Sequence, residues 1–154
     1  MSTLAESVAE LTERPDREPD FVLHGRKVVP GDAEGPALVT GETISGWGGV
    51  NPMTGTIIES RHELKGVSFA GKVLVFPGAK GSSGWSGVFH TTRLTNSAPV
   101  AMLFNVMTTK AALGAVVTRV PTLTELDQDP TRVITTGDWV RVDAAAGTVS
   151  VWKR

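Results

Sequence analysis

The sequence predicts a single mixed α/β domain with a strand–loop–helix–strand unit at its centre and a β-hairpin at its C-terminus. Three observations predict it. The runs "KVLVF" (72–76) and "VAMLF" (100–104) are short and continuously apolar, as expected of central strands buried on both faces. Between them, "GAKGSSGWSG" (78–87) reads as a turn opening into a helix, so the two strands are joined by a crossover of the usual right hand. The tail "GDWVRVDAAAGTVSVWKR" alternates polar and apolar residues on both sides of "DAAAG", the pattern of two paired strands.

Taken in order, residues 1–20 form an N-terminal extension. Leu4, Val8 and Leu11 carry a weak helical spacing before "RPDREPD" breaks it, which predicts a short helix with a solvated linker or else a disordered tail. The folded domain spans 21–154. Its first strands are "FVLHGRKVVPG" and "GPALVT", with "TIIES" as another, each bounded by turn residues. The loop "GETISGWGGVNPMTGT" holds five glycines and one proline in 16 residues, and a loop of that length without its own secondary structure is usually either functional or disordered. Ile44 and Trp47 within it predict packing against a neighbour. A helix over 87–94 is expected after the Gly/Ser turn, capped by Ser83 or Ser86. A second should start near Thr108 and run through "TKAALGAVV", with Thr108 or Thr109 as cap. In the tail, Val140, Val142, Val149 and Val151 should face the core.

Composition excludes several functions. A formal charge of −1 leaves no basic footprint for nucleic acid or an anionic membrane. No apolar run approaches the roughly 20 residues that span a bilayer, and the first residues lack a signal-peptide pattern, so a cytoplasmic protein is expected. Cysteine is absent, which rules out a thiol nucleophile and an iron–sulfur cluster held by thiolates of this chain. His24, His62 and His90 are scattered with no metal-ligand spacing, so no metal site is expected here, and a merely solvated side chain is the default for each.

The residues best suited to chemistry lie in "GSSGWS" (81–86). Helix N-terminal N–H groups and the positive end of the helix dipole favour a carboxylate or phosphate, and glycine lets the backbone approach it. A serine in that field can act as a base toward an acidified C–H. A plain capped turn is the competing reading. The turn is neither a Walker loop nor a nucleophile elbow. His62, beside Arg61, is the one histidine considered for anion contact. Trp47 and Trp85, both in glycine-rich loops, either wall a pocket, anchor an interface or simply pack.

Four stretches occurring in order, "GRKVVPGDAEGPALV", "WGGVNPMTGTIIESRH", "AGKVLVFPGAKGSSGWSGV" and "ALGAVV…TGDWVRV", resemble the small subunits of the aconitase X group over roughly Phe21 to Val142. The resemblance implies an aconitase-like β/β/α swivelling domain that closes over a cleft in a large catalytic subunit. It also implies hydro-lyase activity on a small hydroxy acid, such as cis-3-hydroxy-L-proline or phosphomevalonate. By the same resemblance, Ser82 is the proton-abstracting base, and Gly81, Ser83, Ser86, Arg61 and His62 contact the substrate anion. The iron–sulfur cluster or metal belongs to the large subunit. Two departures stand out: Gly84-Trp85 where the group has Ser-Gly, and Glu59-Ser60 where an acidic residue usually stands differently placed before Arg-His. A different class of function, a non-catalytic binding or regulatory module on the same fold, remains because this chain lacks a complete set of acid, base and metal ligands.

Overall fold

The computed structural model of the chain describes residues 9–81 and 84–154. The strands are β1 (Phe21–His24), β2 (Arg26–Val29), β3 (Asp32–Val39), β4 (Ile44–Ser45), β5 (Val50–Asn51), β6 (Thr56–Ile57), β7 (Val73–Phe76), β8 (Ala79–Lys80), β9 (Ala101–Phe104), β10 (Thr122–Thr124), β11 (Trp139–Asp143) and β12 (Thr148–Trp152). Among the described residues three helices, α1 (Trp85–Leu94), α2 (Thr109–Thr118) and α3 (Pro130–Val133), fall between them.

The main sheet has eight strands in the order β1-β12-β11-β3-β7-β9-β10-β2. Its centre, β3-β7-β9-β10, is parallel, and β11, β12 and β1 extend it antiparallel on one side. The single strand expected over "FVLHGRKVVPG" is two strands, and they lie at opposite edges: β1 pairs with β12, and β2 pairs with β10. Only Gly25 separates them, so the sheet curls until its two edges meet at one residue. A Cβ at Gly25 would come 2.8 Å from the Thr124 carbonyl oxygen, which explains why glycine stands at this crossing.

Alternation along the central strands sorts side chains to two cores. Val73, Val75, Ala101 and Leu103 join Leu23, Leu123 and the four hairpin valines inside the curled sheet, as predicted for Val140, Val142, Val149 and Val151. Leu74, Phe76, Met102 and Phe104 face the other way, against Trp85, Val88 and Phe89 of α1 and Ala111 and Ala115 of α2. All eight of these strand residues are fully buried, so a continuous apolar run is what both faces require.

Residues 1–8 lie outside the described residues, and with them most of the helix expected near Leu4 and Val8. Residues 9–20 contain no helix, and the stretch expected to be a solvated linker is tied to the sheet. The Leu11 N–H donates to Gly137 O at 2.9 Å, and the Trp152 indole N–H donates to Arg17 O at 2.8 Å. Arg14 stacks over Trp152 and pairs with Glu34. Among the described residues no helix is long and apolar enough to cross a membrane.

Candidate functional site

The carboxyl ends of β3, β7, β9 and β10 share one rim because these strands are parallel, and in such sheets ligands bind beyond that rim. After β7 the chain passes Pro77 and Gly78 into β8, which pairs in parallel with β4, and then turns at Gly81 with φ +96°. That left-handed conformation needs glycine. Helix α1 begins immediately beyond. Ser82 and Ser83, the expected base and anion contact, lie outside the described residues, and the residues around them define the site.

Helix α1 starts at Trp85, two residues earlier than expected, with Gly84 at its N-cap. Capping by Ser86 is therefore corrected: Ser86 stands inside the first turn, and no side-chain cap bond forms. The cause is Trp85. It is 1% exposed, stacks on Phe89 at 4.0 Å and near Phe76 at 6.2 Å between ring centroids, and donates its indole N–H to Ile44 O at 2.9 Å. A pocket wall or interface anchor is thus the wrong reading for Trp85, because burying this ring draws the first helical turn down onto the sheet.

The long glycine-rich loop packs where Ile44 and Trp47 predicted. Gly46 lies against the backbone of Trp85, where a Cβ would come 2.7 Å from its Cα. Trp47 lays the pyrrole edge of its indole on Gly84, where a Cβ could be placed only if the indole shifted, and the side chain is 70% exposed. The opposite end of the turn meets α2. Thr108 caps that helix, accepting from the Ala111 N–H at 3.2 Å as predicted, and Lys110 donates from Nζ to the Gly81 carbonyl. Neither α1 nor α2 carries an acidic residue in its first turn, so two positive helix ends stand on this rim.

Residues 59–63 approach from the side. Glu59 pairs with Lys80 at 2.7 Å, and Glu63 accepts from the Thr40 hydroxyl at 2.5 Å and the Gly41 N–H at 3.2 Å. His62 is not the solvated side chain expected: it is 5% exposed, and its Nδ1 accepts from the Leu64 N–H at 3.1 Å, which leaves the proton on Nε2. Nε2 of His62 and Oε2 of Glu59 are buried without a hydrogen-bond partner among the described residues. Arg61 is exposed beside them, whereas His24 and His90 are exposed as expected.

Beyond β9, Asn105 donates from Nδ2 to Asp129 at 2.9 Å. The Thr131 hydroxyl, with Asn105 and the Thr131 N–H, holds the Asp129 carboxyl below its ordinary range against partial burial, so it stays ionised as the cap of α3. A cleft of about 400 Å³ opens beside it at the end of β3, lined by Thr40, Glu63, Arg132 and Arg154 among others; Gly81, Gly84 and Trp47 are not part of its wall.

Of the residues singled out in the sequence, Gly81, Ser86, Arg61 and His62 lie around this rim; Lys110, the Lys80–Glu59 pair and the Trp47–Gly84 contact were not anticipated. Lys110 left a readable signal, since a lysine in the first turn of a helix opposes the dipole and needs a local partner. The iron–sulfur cluster implied by the resemblance does not fit this chain's side chains as ligands. The sequence has no cysteine, and among the described residues no group of three or more His, Asp or Glu gathers.

The comparisons agree with this architecture. The family model for the aconitase X swivel domain matches residues 22–151. A phosphomevalonate dehydratase small subunit from Methanocella arvoryzae is 40% identical over 129 residues, covering 84% of this chain and 98% of that protein. The protein of the same name from Methanosarcina acetivorans is 37% identical over 131 residues, covering 85% and 91%. The crystal structure of Thermococcus kodakaraensis aconitase X in its holo form superposes with a TM-score of 0.81 at 38% identity, covering 86% of this chain and 99% of that one. With the curled mixed sheet and its paired helices already in place, these matches mean that the chain belongs to the aconitase X swivel domain family.

Proposed function

We propose that this chain is the small subunit of an aconitase-type hydro-lyase that dehydrates a small hydroxy acid, with phosphomevalonate the substrate to test first. In this reading residues 21–154 form the swivelling domain, residues 1–20 are an extension, and the catalytic cleft is shared with a large subunit that supplies any cluster. The observation that carries it is the position of Gly81 and Gly84, which flank Ser82-Ser83 in sequence: Gly81 follows β8, just past the carboxyl end of the central parallel strand β7, and Gly84 is the N-cap of α1. The names of the relatives, phosphomevalonate dehydratase small subunits, support the choice of substrate.

The chemistry follows from the rim. A substrate carboxylate or phosphate meets the first N–H groups of α1, the positive ends of α1 and α2, and the ammonium of Lys110. Ser82 removes the proton on the carbon beside the carboxylate; the C–H electron pair forms the C=C bond, and the hydroxyl leaves from the adjacent carbon toward the large subunit. An anionic serine oxygen is costly in water, and a helix N-terminus lowers that cost by about 0.3–1 kcal/mol, up to about 2 where partly buried. Ser83, Ser86 and Arg61 bind the substrate anion, and His62 offers its buried Nε2–H.

The test is reconstitution with a large subunit of aconitase X type, followed by alkene formation from phosphomevalonate and from cis-3-hydroxy-L-proline. Turnover of phosphomevalonate by the complex, and none by either subunit alone, is expected. A stable complex inactive on both substrates would favour the binding-module reading.

A further inference from the structure

The segment from Glu10 to Asp20 lies before the family match, which begins at residue 22, and Trp152 and Lys153 lie beyond its end at 151. These two outlying pieces hold each other. The Arg14 guanidinium stacks 5.5 Å over the Trp152 ring, and its Nε donates at 2.9 Å to Glu34, whose carboxylate also accepts from the Trp139 indole at 2.8 Å. The Trp152 indole N–H donates to Arg17 O at 2.8 Å, and Arg17 Nη2 donates to Lys153 O at 3.0 Å. Farther out, the Leu11 N–H donates to Gly137 O at 2.9 Å, and Glu10 pairs with Lys72 at 3.3 Å. The segment thus crosses the outer face of β3, β11 and β12, while α1 and α2 pack on the parallel half of the sheet.

Its attachment is of a kind that opens locally. Residues 10–19 form no helix or strand, and only Leu11, Pro15 and Pro19 among them are half-buried. Exposed ion pairs such as those of Glu10 and Arg14 contribute little one by one. Few buried apolar contacts and exposed backbone bonds mark a segment that opens before the core does. The surface beneath is different, since Trp152 is 4% exposed. The domain also stands elsewhere without such a segment. The match to the Methanocella protein takes in 98% of its length and the Thermococcus structure superposes over 99% of its chain, so neither has a counterpart this long. Asp20 marks where the firm attachment begins: its N–H donates to Val151 O at 2.8 Å, and its Oδ2 accepts from the Lys153 N–H at 2.7 Å.

We infer that residues 10–19 are a detachable strap, which hinges at Asp20, latches through Arg14 and Arg17 onto Trp152, and lets go of the sheet while the domain stays folded. Latched, it covers Trp152 and engages Glu34; released, it opens the Trp139 and Trp152 face to solvent. The strap is independent of the dehydratase reading.

The experiment follows hydrogen exchange of single N–H groups by NMR in the full-length chain, for wild type, Arg14→Met and Trp152→Phe. In wild type the Leu11 amide should exchange about tenfold or more slower than in an unstructured peptide, yet about 10²-fold or more faster than the amides of Leu74 in β7 and Met102 in β9. Both variants should speed Leu11 exchange about tenfold and leave Leu74 and Met102 unchanged, and Arg14→Met should do the same to the Trp152 indole N–H. Trypsin cleavage after Arg17 should rise in parallel, with the remainder of the chain intact. Leu11 exchanging in step with Leu74 and Met102 would overturn the proposal, because the segment would then open only with the whole domain. Leu11 exchanging as in an unstructured peptide, or unchanged in both variants, would overturn the latch.

Discussion

Gly114→Ala is the substitution whose cost the packing fixes most tightly. Gly114 sits in α2 facing α1, and a Cβ there falls well inside 3.0 Å of Cζ3 and Cε3 of Trp85, with Cη2 at 3.4 Å. Trp85 cannot retreat, being 1% exposed, stacked on Phe89 at 4.0 Å and tied to Ile44 O. Alanine for glycine in a helix interior stabilises by up to about 1 kcal/mol. Overpacking a close-packed core costs about 1–3 kcal/mol. The near-complete lack of room favours the upper end, so a net loss of about 1–2 kcal/mol is expected, or about 2–8 °C in Tm for a chain of this size. Thermal and urea unfolding of Gly114→Ala, Trp85→Phe and the double variant check it. Because removing the benzo ring vacates the colliding volume, the double variant should be more stable than the sum of the singles by about 1 kcal/mol or more. A Gly114→Ala protein as stable as wild type would refute the packing of Trp85 on Gly114.

Thr108→Ala removes the bond accepted from the Ala111 N–H and should cost about 1 kcal/mol in chemical unfolding, with Thr108→Ser close to wild type. Glu34 accepts from Arg14 at 2.9 Å and from the Trp139 indole at 2.8 Å, and the Arg14 bond chiefly holds its carboxyl below the ordinary range. A depressed carboxylate stabilises the fold fully above its unfolded value of about 4.3 and loses that contribution as pH falls through the lower folded value. Urea unfolding from pH 7 downward should therefore show a shallower acid limb below about pH 4.3 in Glu34→Gln than in wild type; equal slopes would mean the pairing does not persist in solution. Purified without a large subunit, the chain should turn over neither phosphomevalonate nor cis-3-hydroxy-L-proline, since it has no thiolate for a cluster; turnover would move the whole active site into this chain.

Elements whose signal is local were legible in the sequence. The apolar pentads declared strands buried on both faces, the alternation of the tail placed all four hairpin valines inward, and Thr108 announced its helix. What depends on long-range closure was not. The run "FVLHGRKVVPG", straddling Gly25, reads as one strand, and only the pairing of its halves with β12 and β10 reveals a nearly closed sheet. Trp85 misled for a related reason: a glycine-rich flank suggests exposure, whereas its neighbour across space is Gly114, 29 positions away in the chain and small enough to admit the ring. His62 reads as solvated because nothing in "ESRHEL" signals its burial, whereas the fold buries the ring with Nδ1 accepting from the Leu64 N–H. The charged stretch from Arg14 to Asp20 reads as a solvated linker because the surface that it packs on, Trp152, is supplied by the last strand.

The central claim, that the serine turn supplies the base, is tested most directly by single-turnover and steady-state dehydration of phosphomevalonate by the reconstituted complex carrying Ser82→Ala. A kcat lower by about 10²–10⁴ is expected, the range for a positioned base, with substrate affinity within a few fold and complex assembly unchanged. A Ser82→Ala complex that assembles normally and retains near-full turnover would contradict it.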